Sequence, residues 1–310
     1  MDRVQRIERR LKLQDFRVLV SVVQAGNMHR AAEILGTSQP AVSRSILDLE
    51  RALGVRLFDR SPRGVEPTHY GRALFKRGIA VFDELRQGIK DIEFLGDSTA
   101  GELRIGCTEA IATGPAFTVI DRLMRRHPKI TFNVMTGGEE ALHIALEDRK
   151  IELVMTAVSG ALPNWIVTET LFKDSLIVAA GPQNPWTRRR KTELAELMNE
   201  RWVLLPPDRP AGALIVEVFR ACGLEVPASS FITASLNLRN RLIATGRFLT
   251  MQSRYTVAPR SNYPLLKELP VKLPNTQRTV SILTAKKRTI SPVAELFMRT
   301  ARESFKRLDD

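Results

Sequence analysis

The sequence predicts a mixed α/β chain of more than one domain: a helical N-terminal part with a small wing, one long helix, and a remainder in which strands and helices alternate. Three observations predict it. Apolar residues recur at helical spacing through the first 53 positions, broken only by short turns. One uninterrupted stretch from Thr68 to about Leu95 carries an apolar stripe at alternating spacings of 4 and 3. From Leu103 onward, short β-type runs alternate with helical runs. A length of 310 residues agrees with about two domains at roughly 150 residues each.

The first helix is expected over Leu13–Ala25, where Leu13, Phe16, Val20 and Val23 share a face and Gly26 stops it. Asn27 is a good N-cap for a second helix, Met28–Leu35, with Ala31, Ala32 and Leu35 facing inward and Gly36 ending it. Ser38 is expected to cap a third helix opening at Gln39-Pro40, where a missing N–H is no loss. That helix, Gln39–Leu53, should bury Val42, Ile46, Leu49 and Leu53 and turn Pro40, Ser43, Arg44, Leu47 and Arg51 outward. Two helices joined by a turn of about three residues fit a helix-turn-helix, and equally an ordinary three-helix bundle.

Val55–Phe58 and Gly64–Pro67 are short extended pieces around the turn Ser61-Pro62-Arg63-Gly64, which makes a two-stranded wing carrying Arg60 and Arg63. Thr68 then caps the long helix. Its stripe is Leu74, Gly78, Val81, Leu85, Gly88, Ile92 and Leu95, a seam expected to pair with its own copy. Residues 51–77 hold seven basic side chains against two acidic ones, so positive charge concentrates at this end.

Several motifs now stand together: Ala31-Ala32-x-x-Leu35, Ser38-Gln39-Pro40-Ala41-Val42-Ser43, Leu49-Glu50, Leu53-Gly54, Leu57-Phe58-x-Arg60 and Thr68-x-x-Gly71. At these spacings the stretch resembles the winged-helix domain of LysR-type transcriptional regulators, and the resemblance extends over the whole chain. It implies that Ser38, Gln39, Pro40, Ser43, Arg44, Leu47, Arg60 and Arg63 contact double-stranded DNA. The chain departs from the family's Gly-Ser-Phe-Thr at Gly26-Asn27-Met28-His29, and has Leu47 where the family usually has a polar residue.

After a linker at Gly96–Gly101, strands are expected at Leu103–Cys107, Ile130–Met135, Leu153–Ala157, Ser175–Ala179, Trp202–Leu205, Phe231–Ala234, Leu249–Met251 and Val280–Leu283. Helices are expected at Gly114–Arg126, Glu139–Glu147 and from Ser291. The resemblance implies a periplasmic-binding-protein-like effector domain of two lobes. The expected division is residues 1–67 for the winged helix-turn-helix, 68–95 for the linker helix and 96–310 for the effector domain. Lobe 1 is expected at about 102–163 and 270–310, lobe 2 at about 168–266, with crossings near 162–168 and 265–271.

A small-molecule effector is implied between the lobes. Its expected lining is Thr108, Glu109, Thr136, Gly137 and Gly138 from lobe 1, and Asp208, Arg209, Ser235, Asn237, Gln252 and Ser253 from lobe 2. Each follows a strand, where α/β sheets present ligand groups. The segments Arg201–Pro207 and Leu269–Pro274 resemble the branch typified by the galactose-binding-protein regulator, which suggests a sugar, sugar acid or aromatic catabolite. Glu109 at a helix start is expected to disfavour a carboxylate and so to favour a neutral hydroxylated effector. A homodimer, a homotetramer and an operator forming an interrupted inverted repeat are also implied.

Composition narrows the classes. With 44% hydrophobic and 26% charged residues the chain is not disordered or low-complexity. A net charge of +13 points to a polyanionic partner. No run of 18 apolar residues is present, and the first sixteen residues lack a secretory apolar core, so no membrane contact and a cytoplasmic location are expected. Cys107 and Cys222 read as small buried residues rather than a redox pair, and the four histidines show no metal-ligand spacing. No cofactor is expected. Two other functions remain in view: an enzyme, for which no phosphate loop or nucleophile elbow is present, and a solute-binding protein.

Overall fold

The computed structural model describes residues 2–61, 64–158, 160–228, 230–257 and 266–306. The chain divides into two compact units, 1–89 and 90–310.

The first unit runs α1 (Arg3–Glu8), α2 (Leu13–Ala25), α3 (Met28–Leu35), α4 (Gln39–Leu53), β1 (Phe58–Ser61), β2 (Gly64–Pro67) and most of α5 (His69–Gly96). Asn27 caps α3 as expected: its Oδ1 accepts from the His29 and Arg30 amides at 2.7 and 3.3 Å. Gly26 and Gly36 end α2 and α3 in left-handed conformations that glycine adopts without strain. Val18, Leu19, Val22, Ala31, Ala32, Val42, Ile46 and Leu49 form the core with Leu57 and Phe58. The core face of α2 is therefore Val18–Leu19–Val22. Leu13 is exposed, while Val20 and Phe16 lie against Gly78 of α5.

The wing is an antiparallel pair in the register Phe58↔Pro67 to Ser61↔Gly64. Its first strand starts three residues later than the expected Val55. Glu50 accounts for this: its Oε1 accepts from the Leu57 and Phe58 amides at 2.7 and 3.3 Å and fixes that end of the strand to α4. The Val65 amide donates to Gly26 O at 3.1 Å, tying β2 to the turn between α2 and α3. Thr68 caps α5, accepting from the Gly71 amide at 3.2 Å while donating to Arg56 O at 2.8 Å. A side chain at position 71 would collide with Leu57 O, which explains the glycine in Thr68-x-x-Gly71.

The α5 stripe is not one uniform seam. Leu74 packs on the winged core, and a Cβ at Gly78 would stand 3.1 Å from Val20 Cγ2, so both belong to intradomain packing. Val81, Leu85, Gly88, Ile92 and Leu95 are exposed, with Ile89 beside them. Asp83 and Gln87 are buried instead.

The second unit holds β3 (Ala100–Cys107), α6 (Glu109–Ile111), α7 (Phe117–Arg126), β4 (Lys129–Thr136), α8 (Glu139–Glu147), β5 (Leu153–Val158), β6 (Ile166–Ala180), β7 (Trp202–Leu204), α9 (Pro210–Ala221), β8 (Ser230–Ile232), α10 (Leu236–Ala244), β9 (Leu249–Ser253), β10 (Lys267–Glu268), β11 (Gln277–Ala285) and α11 (Pro292–Phe305). A π-helical turn at Ala112–Ala116 joins α6 to α7, so helical structure begins at Glu109 rather than Gly114. Strand order is β4-β3-β5-β11-β6-β9-β7-β8, with β10 pairing β6.

The 15-residue β6 creates the two lobes. Its first part, Ile166–Ser175, pairs with β11; its last part, Leu176–Ala180, pairs with β9. Leu171 and Phe172 lie in the lobe 1 core with Leu103, Ile105 and Phe297. Leu269 lies in the lobe 2 core with Leu176, Trp202 and Phe219. The first crossing is thus near 174–176 rather than 162–168. The second is near 274–277, where Thr276 O accepts from the Leu176 amide, rather than at 265–271. Asp174 on β6 and Arg278 on β11 are register partners joined by an ion pair of 3.2 Å, which pins the two crossing strands together.

A candidate DNA-reading face and an interlobe cleft

On α4, Val42, Ile46 and Leu49 are buried and Gln39, Pro40, Arg44 and Leu47 are exposed, with Ser43 half-buried. Gln39, Pro40, Ser43, Arg44, Leu47, Asp48 and Arg51 line one shallow groove. Ser38 occupies the N-cap position, but its hydroxyl makes no capping bond; its carbonyl accepts from the Ala41 and Val42 amides at 3.0 and 3.1 Å. Arg51 is drawn to Asp48 at 3.2 Å, whereas among the described residues no acid lies within ion-pair distance of Arg44. The face thus offers a guanidinium, a hydroxyl and an amide to a partner, the groups that reach base edges and phosphates. Arg60 is exposed on β1. Arg63 lies outside the described residues.

The second site is a cavity of about 400 Å³ between the lobes. Eight expected residues line it: Thr108, Glu109, Thr136, Gly137 and Gly138 of lobe 1, and Arg209, Gln252 and Ser253 of lobe 2. Asp208, Ser235 and Asn237 do not. Ser235 is spent capping α10, its Oγ accepting from the Leu238 amide at 3.3 Å. Asn237 is one position off the helix face that Leu236 and Arg239 present to the cavity.

Residues absent from the sequence reading complete the lining, among them Glu139, Thr156, Leu205, Arg239 and Arg278. Arg239 is only 4% exposed, and its Nε and Nη1 have no hydrogen-bond partner among the described residues. Burial lowers its pKa to about 10, with Glu109 acting in the opposite direction and Arg278 reinforcing the fall. Burial likewise raises the Glu139 pKa, which Arg278 partly offsets. Arg239 lies one helical turn beyond Ser235, the N-cap of α10.

Contacts among the cleft-lining residues also join the lobes. Glu109 Oε2 accepts from the Leu236 amide at 3.0 Å, at the start of α10. Arg209 reaches over Gly138, where a Cβ would stand 2.8 Å from its Nη1. The Glu109 carboxylate is therefore held by a helix amino end rather than free to repel a ligand. Cys107 is fully buried and burial pushes its thiol up to about 12, while Cys222 is partly exposed. Among the described residues there is no cluster of His, Cys, Asp and Glu suited to a metal ion, and no helix long and apolar enough to cross a membrane.

Comparison with known proteins identifies the domains that carry these residues. Residues 13–72 match the family described as bacterial regulatory helix-turn-helix protein, lysR family, and residues 96–306 match the LysR substrate binding domain. The chain is 28% identical over 254 residues to the HTH-type transcriptional regulator GbpR of Azospirillum brasilense, covering 80% of this chain and 73% of that one. It is 26% identical over 305 residues to the transcriptional dual regulator GltC of Bacillus subtilis, covering 96% and 99%. In fold it is similar to a full-length OxyR variant from Pseudomonas aeruginosa, with a TM-score of 0.68, 21% identity and coverage of 94% and 95%. It is also similar to full-length CbnR complexed with its target DNA, with a TM-score of 0.55, 19% identity and coverage of 95% and 99%. The chain belongs to the LysR family: it is a DNA-binding transcriptional regulator with an effector-binding domain.

Proposed function

We propose that this regulator reads its operator with the outer face of α4, the wing adding affinity, and responds to a small molecule held in the interlobe cleft. The observation that carries the DNA reading is the division of α4 into a buried face of Val42, Ile46 and Leu49 and an open face bearing Arg44. The cleft reading rests on a cavity of about 400 Å³, within the range of small-molecule sites, lined from both lobes. The exposed apolar residues of α5, from Val81 to Leu95, support self-association into a homodimer, with a homotetramer as the further expectation. An interrupted inverted repeat is the operator that such a dimer reads. The protein acts in the cytoplasm, without a resident cofactor and without catalysing a reaction. Sequencing the DNA bound by the full chain in cells, beside an Arg44→Ala chain, tests the reading. A shared inverted repeat lost in the variant supports it; identical profiles overturn it.

A further inference from the structure

Three buried side chains on the cleft wall hold polar atoms with no hydrogen-bond partner among the described residues: Nε and Nη1 of Arg239, Oε1 of Gln252 and Oγ1 of Thr156. Arg239 and Gln252 are each 4% exposed and Thr156 2%. Buried polar groups left unsatisfied destabilise a protein, and most such groups in folded chains are paired. These three line one cavity and come from both lobes, so a single guest can satisfy all of them.

Their chemistry selects that guest. Arg239 offers donors only and carries a positive charge, so it calls for an oxyanion. Glu109 offsets part of this charge, but it makes no hydrogen bond to Nε or Nη1. Glu109 is tied to the Leu236 amide, Arg278 is paired with Asp174, and Arg209 adds a further cation over Gly138. Gln252 Oε1 is an acceptor and requires a donor; Thr156 can donate or accept. A neutral sugar leaves the charge of Arg239 unmet, and a hydrocarbon carboxylate has no donor for Gln252 Oε1.

We propose that the cleft takes a small hydroxylated acid, its carboxylate accepting from Arg239 and its hydroxyls serving Gln252 and Thr156. This rests on the cleft being the effector site, and it reverses the sequence-based preference for a neutral effector. Arg239 is then the residue that determines specificity for acids.

The test is calorimetric titration and thermal unfolding of the full chain with D-gluconate and D-galactonate. Controls are D-glucitol and galactitol, which lack the carboxylate, and hexanoate, which lacks the hydroxyls. At least one aldonate should bind about tenfold or more tighter than its alditol and than hexanoate, the scale of one charge-assisted hydrogen bond. Arg239→Leu should abolish aldonate binding while unfolding at the wild-type temperature or above, because it removes a buried cation whose Nε and Nη1 have no hydrogen-bond partner among the described residues. Gln252→Leu should weaken the aldonate and leave hexanoate unchanged, and it decides the matter if Arg239→Leu fails to fold. Equal binding of aldonate and alditol, tightest binding by hexanoate, or aldonate binding that survives Arg239→Leu overturns the proposal. Binding by neutral sugars or amines alone overturns it and leaves the cleft reading standing. No binding by any acid, polyol, aromatic or amine of a wider panel counts against both.

Discussion

Glu50 is the joint between the recognition helix and the wing, and its loss should be felt in both. Its Oε1 accepts from the Leu57 and Phe58 amides at 2.7 and 3.3 Å, and both residues are almost fully buried. Glu50→Ala leaves two buried donors without an acceptor. A hydrogen bond to a charged group contributes about 1.5–3 kcal/mol, and the longer second bond contributes less, so the loss should be about 2–4 kcal/mol. With a urea m-value of about 2 kcal/mol/M, the midpoint for the first unit should fall by about 1–2 M. Glu50→Gln retains an oxygen at the same reach and should cost less than about 1 kcal/mol. The assay is urea unfolding of the full chain followed by circular dichroism, with operator affinity measured below the transition. Affinity should fall in the alanine variant because the Arg60-bearing strand loses its anchor to α4. An alanine variant within about 0.5 kcal/mol of wild type, the scatter of an ordinary surface change, would refute the reasoning. So would a glutamine variant as unstable as alanine.

Other outcomes follow from the same structure. Arg60→Ala should weaken binding to all DNA sequences alike and reduce the salt slope by about one, as expected for one lost phosphate contact; filter binding across salt concentrations measures it. Leu85→Glu places a charge in the exposed apolar stripe of α5, and sedimentation should show a smaller oligomer with an unchanged winged core. Cys107 supplies a pH dependence. Its pKa is raised from 9.0 to about 12 by burial, so the unfolded chain loses this proton first as pH rises. The stability it contributes is complete below about pH 9 and declines between about 9 and 12, by up to about 1.4 kcal/mol per pH unit. Cys107→Ala should flatten that part of the stability curve relative to wild type.

The winged unit was largely legible because its signals are local. Asn27 caps, Gly26 and Gly36 stop helices, and Val42, Ile46 and Leu49 repeat at helical spacing within one short segment. The face of α2 was misread because half of it is set by α5, more than fifty residues later in sequence, where Gly78 admits Val20 and Phe16. The same packing removed Leu74 and Gly78 from the expected seam. In the second unit the strand over 166–174 was hidden by its polar residues. Asp174 is buried there with partners distant in sequence: Arg278 pairs with it and the Tyr255 amide donates to it. That pair also relocates both lobe crossings. The cleft is legible where a residue directly follows a strand, as with Thr108 after β3 and Gly137 after β4. It was not legible on α10, where Ser235 caps the helix and the next turn, with Arg239, forms the wall. Nothing in the local sequence marks an arginine as buried without a partner.

The most direct measurement is the preference of the full chain for its operator over random DNA of equal length, followed across salt concentration for wild type and Arg44→Ala. Arg44 is exposed on α4 and the core residues Val42, Ile46 and Leu49 face away from it, so the fold should not change. A base contact contributes about 1–3 kcal/mol of discrimination, so the variant should lose about 5- to 150-fold of operator preference. Its binding to random DNA should stay salt-dependent and close to wild type. Full operator preference in Arg44→Ala, or a wild-type chain that binds operator and random DNA equally, would contradict the assignment of α4 as the reading face.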